Sequence, residues 1–420
     1  MTSYGSPDAI VHARTAADVA GAIHHARDTG TTLTVRSGGH SVARLSTADD
    51  GLLLDVRGLN RIAVLDRSRG LVRIGTGATW GMVAARLAPY GLAVTAGDTA
   101  SVGVGGLALG GGVGWMVRRY GLAIDAVVGA EVVTADGRVR RVDADHDPDL
   151  FWALRGGGGN VGVVTSLDVE AAPVSRVVFG ALSYEVQELE GLLRGWRDHL
   201  RRSDDRLTSV LALTPATPMG PPRAVVQWCF SEPDEAGASK AVAGLRGIGT
   251  VVGDEAAVVP YAEVLEDHEM PDGMGAAMRN ALVPDLSDAC LDAALALTAQ
   301  APTALVLRGL GGAVGWVPSD ATAFAHRDAE AMVVAARMAP PGAPVPSLDG
   351  PGDDWDAVAR HGTGAYVGFL DEAGPQAVAS VYPAATYARL AAVKRAYDPG
   401  NLFRRTHNVP PAPPADPVRE

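Results

Sequence analysis

Cysteine is nearly absent from this 420-residue chain: only Cys229 and Cys290 occur, far apart. That excludes a disulfide framework and a cysteine metal cage. Lysine is equally scarce, with Lys240 and Lys394 alone, so nearly all of the 36 basic residues are arginine and none gather into a polybasic block. Together with a net charge of −12, this argues against nucleic acid or an anionic membrane as a partner. No window offers the ~18 uncharged apolar residues of a membrane span. The opening Met1-Thr2-Ser3-Tyr4-Gly5-Ser6 lacks the basic and apolar regions of a secretory leader, so a cytoplasmic protein with a small ligand is expected. Neither His24-His25 nor Asp145-His146-Asp147 has metal-ligand spacing, and no G-x-S-x-G elbow occurs. What the chain has in plenty is glycine, 51 residues of it, and the Ala-Gly-Pro-Arg richness fits a GC-rich bacterial genome.

The glycines are concentrated. Arg36-Ser37-Gly38-Gly39-His40-Ser41 follows the strand-type run Thr31–Val35. A strand ending in Ser-Gly-Gly can turn sharply and aim consecutive N–H groups at one anion, with His40 at the rim as a nucleophile. A second region runs from Gly103 to Gly114, interleaved with Val, Leu and Trp rather than the Ser and Pro of a linker. Each glycine there costs a regular element roughly 0.5–1 kcal/mol, and close approach of the backbone to a flat ligand would offset that. A third run, Gly157 to Gly162, formally matches GxGxxG, but it follows a helix and enters a strand. A dinucleotide-binding turn needs the reverse order, so NAD is disfavoured.

Two domains are expected at this length. Thr15 should cap a helix over 16–28 that stops at Gly30, between strands at 9–11 and 33–35. Hairpins are predicted at 61–64 with 71–74 and at 131–134 with 138–142, and helices at 80–90, 147–154 and 387–397. From Pro173 the pattern changes to scattered amphipathic helices and alternating strands, with a turn cluster at 215–218 and a proline-rich loop over 340–351. The last residues, rich in proline, should be loosely ordered.

These motifs, with Tyr120-Gly121-Leu122 and Asp125, Gly156 through Thr165, Asp320 through Arg327, Tyr366-Val367-Gly368-Phe369, and Tyr397-Asp398-Pro399-Gly400-Asn401-Leu402-Phe403 with Asn408, resemble the berberine-bridge-enzyme-like oxidoreductases of the vanillyl-alcohol-oxidase type. The resemblance implies an α+β protein with a PCMH-type FAD domain made of residues 1–172 and a C-terminal segment, 376–410. A substrate domain, 173–375, with an antiparallel sheet covered by helices would lie between, and 411–420 would be a flexible tail. It implies FAD held by Arg36, Ser37, Gly38, Gly39, His40, Ser41, Val102, Gly103, Gly105, Gly106, Gly110, Gly112, Tyr120, Asn160, Gly162, Val163 and Asn408. His40 would be bonded to the flavin 8α carbon. The family's second attachment point aligns with Thr99, so attachment should be single. Val102, at the position controlling dioxygen access, resembles oxidases, and Tyr366 matches the family's base in a Tyr-x-Asn strand.

Two departures stand out: Leu107 replaces a histidine that steadies the reduced flavin, and Gly368 replaces the asparagine. A tyrosine of ordinary pKa is only about 0.1% ionised at pH 7, so Tyr366 needs a neighbouring cation, for which Arg308 is a candidate. His326 and Arg327 read as structural anchors. The resulting expectation is an FAD-dependent oxidase taking a hydride from a hydroxylated small molecule, a sugar or a secondary metabolite, with dioxygen as oxidant and hydrogen peroxide as product. A dehydrogenase of the same fold with another electron acceptor, and a non-catalytic flavin-binding protein, stay open.

Overall fold

The structure is a computed structural model that describes residues 5–217, 220–267, 274–350 and 353–414. Its first helix, Ala16–Thr29, starts where Thr15 Oγ1 accepts from the Asp18 amide at 3.2 Å and Asp18 Oδ2 accepts from the Thr15 amide at 2.9 Å. The helix ends at Gly30 with φ 71°. Such a reciprocal cap satisfies two orphan donors at once. The helix buries Val19, Ala22, Ile23 and Ala26 on a parallel sheet ordered Ala9–His12, Leu52–Asp55, Leu33–Arg36. The chain therefore opens as β-α-β, with the third strand inserted between the first two. All three strands end at one edge, and the Arg36–Ser41 loop leaves from there.

A five-stranded antiparallel sheet follows, ordered Ile62–Asp66, Leu71–Gly75, Val163–Glu170, Val127–Val133, Val139–Val142. Both predicted hairpins lie in it. Helix Pro148–Leu154 precedes the third glycine run and strand Val163–Glu170 follows it, the order read from the sequence. The second glycine region differs from expectation: it contains a true helix, Val104–Gly110, and a one-turn helix, Val117–Tyr120, follows it.

Strands between residues 176 and 339 form a seven-stranded antiparallel sheet ordered Val251–Pro260, Arg176–Tyr184, Arg223–Phe230, Leu207–Thr214, Ala304–Gly309, Ala331–Ala339, Gly275–Val283. One face is covered by helices Leu189–Arg202 and Asp288–Gln300, whose Leu193, Trp196, Leu291 and Leu297 pack on Leu182, Leu211, Val226, Leu305 and Leu307. Because side chains alternate along a strand, Val306 and Arg308 point to the other face, toward the N-terminal sheets. Trp115 meets Phe179 edge-on across that boundary, with ring centroids 5.0 Å apart.

Helix Ala384–Tyr397 returns the chain to the third glycine run. Pro218 of the turn cluster, Pro351 of the proline-rich loop and residues 415–420 of the tail lie outside the described residues. At 411–414 the tail is tied down, the Ala412 amide donating to Ala391 at 2.9 Å.

Candidate active site

The first glycine loop and the second pack backbone against backbone. A Cβ on Gly38 would strike the Gly103 amide, and one on Gly103 would strike the Gly38 amide and Ser37 Oγ. Only glycine allows this approach. Ser37 Oγ donates to the Thr76 carbonyl at 2.7 Å, and Ser41 Oγ accepts from the Leu45 amide at 3.0 Å. Both hydroxyls are thus used to shape the loop, which leaves backbone amides as its ligand groups. Among the described residues no acceptor meets the amides of Ser37, Gly38 or His40. Gly39 takes φ 83° at the turn, Gly105 packs on Thr76, and Gly106 faces open space. Val102 accepts from the Trp80 amide at 3.0 Å one residue before the crossing at Gly103.

His40 is exposed at the loop rim. Loss of solvent around the ring pushes its pKa below the usual histidine value, opposed by the Asp267 carboxylate and a hydrogen bond with the Ser101 carbonyl. A ring so placed is neutral at pH 7.

Tyr366 is buried where the seven-stranded sheet meets the second glycine region. It is not on a strand, as the sequence suggested, but leads into the one-turn helix Val367–Phe369. Gly368 explains the change, since a Cβ there would lie 2.6 Å from Tyr366 Cε1. The asparagine of the family pattern would displace the ring. Asn280 clamps the Tyr366 backbone instead, accepting from its amide at 2.6 Å and donating to its carbonyl at 2.8 Å. The phenolic oxygen accepts from the Gly112 amide at 3.2 Å. Gly110 packs against Val367, and Gly112 against Ala123 and Leu107.

Arg308 reaches this corner and pairs with Asp98, with its guanidinium 5.3 Å from the Phe369 ring centroid. Phe369 in turn stands edge-on to Tyr366, centroids 5.7 Å apart. The sequence reading required a cation to depress Tyr366, and the outcome is the reverse. Burial pushes the phenol up to about 12, the Gly112 bond and Arg308 pull it down, and Asp98 adds to the rise. Burial would raise Asp98 as well, but Arg308 more than offsets it and holds it below the usual carboxylate value.

Other candidates are employed elsewhere. Asn160 donates to Gly157 and His407 carbonyls at 2.8 and 3.1 Å and accepts from the Val409 amide at 2.9 Å, so its side chain staples the third glycine run to the C-terminal segment. Val163 pairs with Val133 in the five-stranded sheet, and Gly162 just before it packs against Val132 and Val133. Tyr120 lies under Arg119, 5.2 Å from its ring centroid, and burial raises its pKa. Asn408 differs: its Oδ1 is buried with no partner among the described residues. His326 and Arg327 are anchors, His326 bonded to Thr363 and Val381, Arg327 forked onto Asp125 at 2.8 and 2.9 Å. Asn280, Asp98 and Asp267 escaped the sequence reading. Only Asn280 carried a signal, as a lone amide entering the apolar run Ala281-Leu282-Val283.

A parallel three-stranded sheet beside an antiparallel five-stranded one, with an amide-lined glycine crossing between them, defines a PCMH-type FAD-binding fold. Residues 7–143 match the FAD binding domain family, and residues 365–410 match the berberine and berberine-like family. The chain is 35% identical to (R)-6-hydroxynicotine oxidase of Paenarthrobacter nicotinovorans, over 96% of this chain and 91% of that protein. It is 30% identical to an uncharacterised FAD-linked oxidoreductase of Bacillus subtilis, over 96% and 91%. The crystal structure of 6-hydroxy-D-nicotine oxidase from Arthrobacter nicotinovorans superposes with a TM-score of 0.84 at 31% identity, covering 98% of this chain and 93% of that one. Chitooligosaccharide oxidase shares the fold, with a TM-score of 0.85 at 23% identity over 98% and 94%. The chain belongs to the berberine-bridge-enzyme-like FAD-linked oxidoreductases, and it is an enzyme of that class.

The residues present fit FAD. Unpartnered loop amides suit a pyrophosphate, and the orphaned Asn408 oxygen is a further polar contact point. Charge-assisted bonds to backbone amides contribute roughly 1.5–3 kcal/mol each, enough to hold the anion without a lysine. No helix among the described residues is long and apolar enough to cross a membrane.

Proposed function

We propose that this protein is an FAD-dependent oxidase that removes a hydride from a hydroxylated small molecule, with the flavin bonded once, through His40, and dioxygen as the oxidant that leaves as hydrogen peroxide. Residues 173–375 supply the substrate wall and 1–172 with 376–410 the flavin cradle. Bound FAD supplies the two-electron acceptor. The observation that carries the reading is Tyr366, a buried phenol backed by Arg308 and Asp98 where the substrate sheet faces the glycine crossing.

Tyr366 takes the substrate's hydroxyl proton from a small ionised population. At a pKa of about 12 roughly one phenol in 10⁵ is ionised at pH 7, but that fraction is a strong base. Gly112 and Asn280 hold the ring in place, and the apolar surround of Phe324, Leu310 and Met332 keeps water from competing for the proton. Val102, small and next to the crossing, favours dioxygen as the acceptor. The relative at 35% identity is named for a hydroxylated nicotine, which favours a hydroxylated heterocycle over a sugar.

The test is a denaturing gel in acid, read for flavin fluorescence, beside a peroxide assay on hydroxylated substrates in air. Fluorescence on the wild-type band and none on His40→Ala is expected, with one peroxide per substrate oxidised. A flavin that is reduced by substrate but inert to air would overturn the oxidase.

A further inference from the structure

The stretch that closes over His40 is built by both parts of the chain. Residues 98–101, just before the glycine crossing, pair with 266–267 of the central part. The Glu266 amide donates to Asp98 at 3.0 Å, Glu266 accepts from the Ala100 amide at 3.3 Å, and Asp267 Oδ1 accepts from the Ser101 amide at 2.8 Å. The Ser101 carbonyl meets the His40 ring, and it lies against Gly38, at 3.2 Å from where a Cβ would stand. The two faces of Ser101 thus link the Asp267 carboxylate to the His40 imidazole.

We infer that Asp267 is a positioning residue for covalent attachment of the flavin, orienting His40 through Ser101 and stabilising the positive charge that its ring acquires. The inference rests on the proposed His40 linkage. One ring nitrogen donates to the Ser101 carbonyl, which leaves the other with its lone pair as the nucleophile. That nitrogen bonds the flavin 8α carbon. A C–H bond of the methyl group breaks, its proton goes to water, and the electron pair stays on the flavin ring system. Dioxygen then takes the pair away as hydrogen peroxide. While the bond forms the imidazole carries a proton on its other nitrogen and a full positive charge, until that proton is lost. Asp267, held on the Ser101 amide at 2.8 Å, is the carboxylate that favours the charged form of this ring, and an anion beside a developing cation lowers the barrier to forming it.

Because Asp267 comes from the central part of the chain and His40 from the first, attachment is coupled to docking of the two. A flavin bound to a half-assembled protein would meet a histidine without its carboxylate.

The experiment follows attachment rather than turnover. Full-length protein from riboflavin-limited cells is incubated with FAD in air, and fluorescence on the acid-denatured band is read against time. Asp267→Asn keeps an oxygen acceptor for the Ser101 amide and removes only the charge. It is expected to attach flavin at least tenfold more slowly than wild type while binding FAD reversibly with unchanged affinity, and Asp267→Glu is expected to recover most of the rate. Attachment by Asp267→Asn at the wild-type rate would overturn the inference while leaving the His40 linkage intact. A wild-type band that never becomes fluorescent, although FAD binds, would overturn the linkage itself and the inference with it.

Discussion

Tyr366 shows how a side chain's surroundings set its chemistry. Its phenol receives one backbone hydrogen bond and lies near a guanidinium, yet burial dominates and Asp98 opposes the help that Arg308 offers. With the phenolate as the proposed reactive form, populated only toward a pKa near 12, activity should be lost as pH falls. Between pH 7 and 9, kcat/KM is expected to rise about tenfold per unit, provided proton removal limits the rate. Tyr366→Phe should keep its FAD and lose at least about 100-fold in kcat/KM, the usual scale of a general base, with the pH slope flattened. Stopped-flow reduction of the flavin in both proteins across that range measures this directly, and an unchanged slope in the variant would remove Tyr366 from the role. The position of Tyr366 in a family motif was legible in the sequence. Its pKa was not, because it is set by burial among residues distant in sequence and by charges such as Asp98, more than two hundred residues away in the chain.

Among the elements, helix Ala384–Tyr397 does more than its amphipathic pattern suggests. Lys394, wholly buried, donates to the carbonyls of Asn160 at 2.9 Å and Phe403 at 2.8 Å and pairs with Asp398 at 3.1 Å. Asp398 accepts the Leu402 and Phe403 amides at 2.7 and 3.0 Å. One of the chain's two lysines thus fastens the third glycine run to the C-terminal segment. Lys394→Met leaves a buried carboxylate and two carbonyls without their partner, a change that costs about 3–5 kcal/mol. A lower midpoint in denaturant, with Asp398→Asn as a second-site partial rescue, is the expected result. The Asp-Pro-Gly-Asn stretch marked this place in the sequence, and the hairpins and the capped first helix were equally plain, since each depends on neighbours within a few residues. The helix in the second glycine region was not. Its glycines, each costly by local propensity, are offset by packing on Ser37, Thr76 and Val367, contacts that no local pattern contains.

Across the boundary between the N-terminal sheets and the seven-stranded sheet, apolar clusters are joined by buried polar contacts. Arg327 forks onto Asp125 and also reaches Thr322 and the Phe324 carbonyl. Arg327→Ala should weaken docking of the seven-stranded sheet on the N-terminal sheets by about 3–5 kcal/mol. Arg327→Lys should rescue little, because a point charge cannot reproduce a planar fork. Hydrogen exchange localised at 122–125 and 322–327 would report the loss, and protection equal to wild type there would assign the docking to apolar contacts such as Trp115 on Phe179.

From the order of residues alone came the glycine loops, the histidine at their rim, the alternation of strands and the family to which all of these belong. Each is a matter of local backbone freedom or short-range periodicity, and so is written along the chain. The tertiary structure alone decided which polar groups share a dry corner. Arg308 faces Asp98 and Asn280 clamps Tyr366 because sheets from different stretches of sequence stack at one boundary. There, low polarity magnifies each charge's effect on the next.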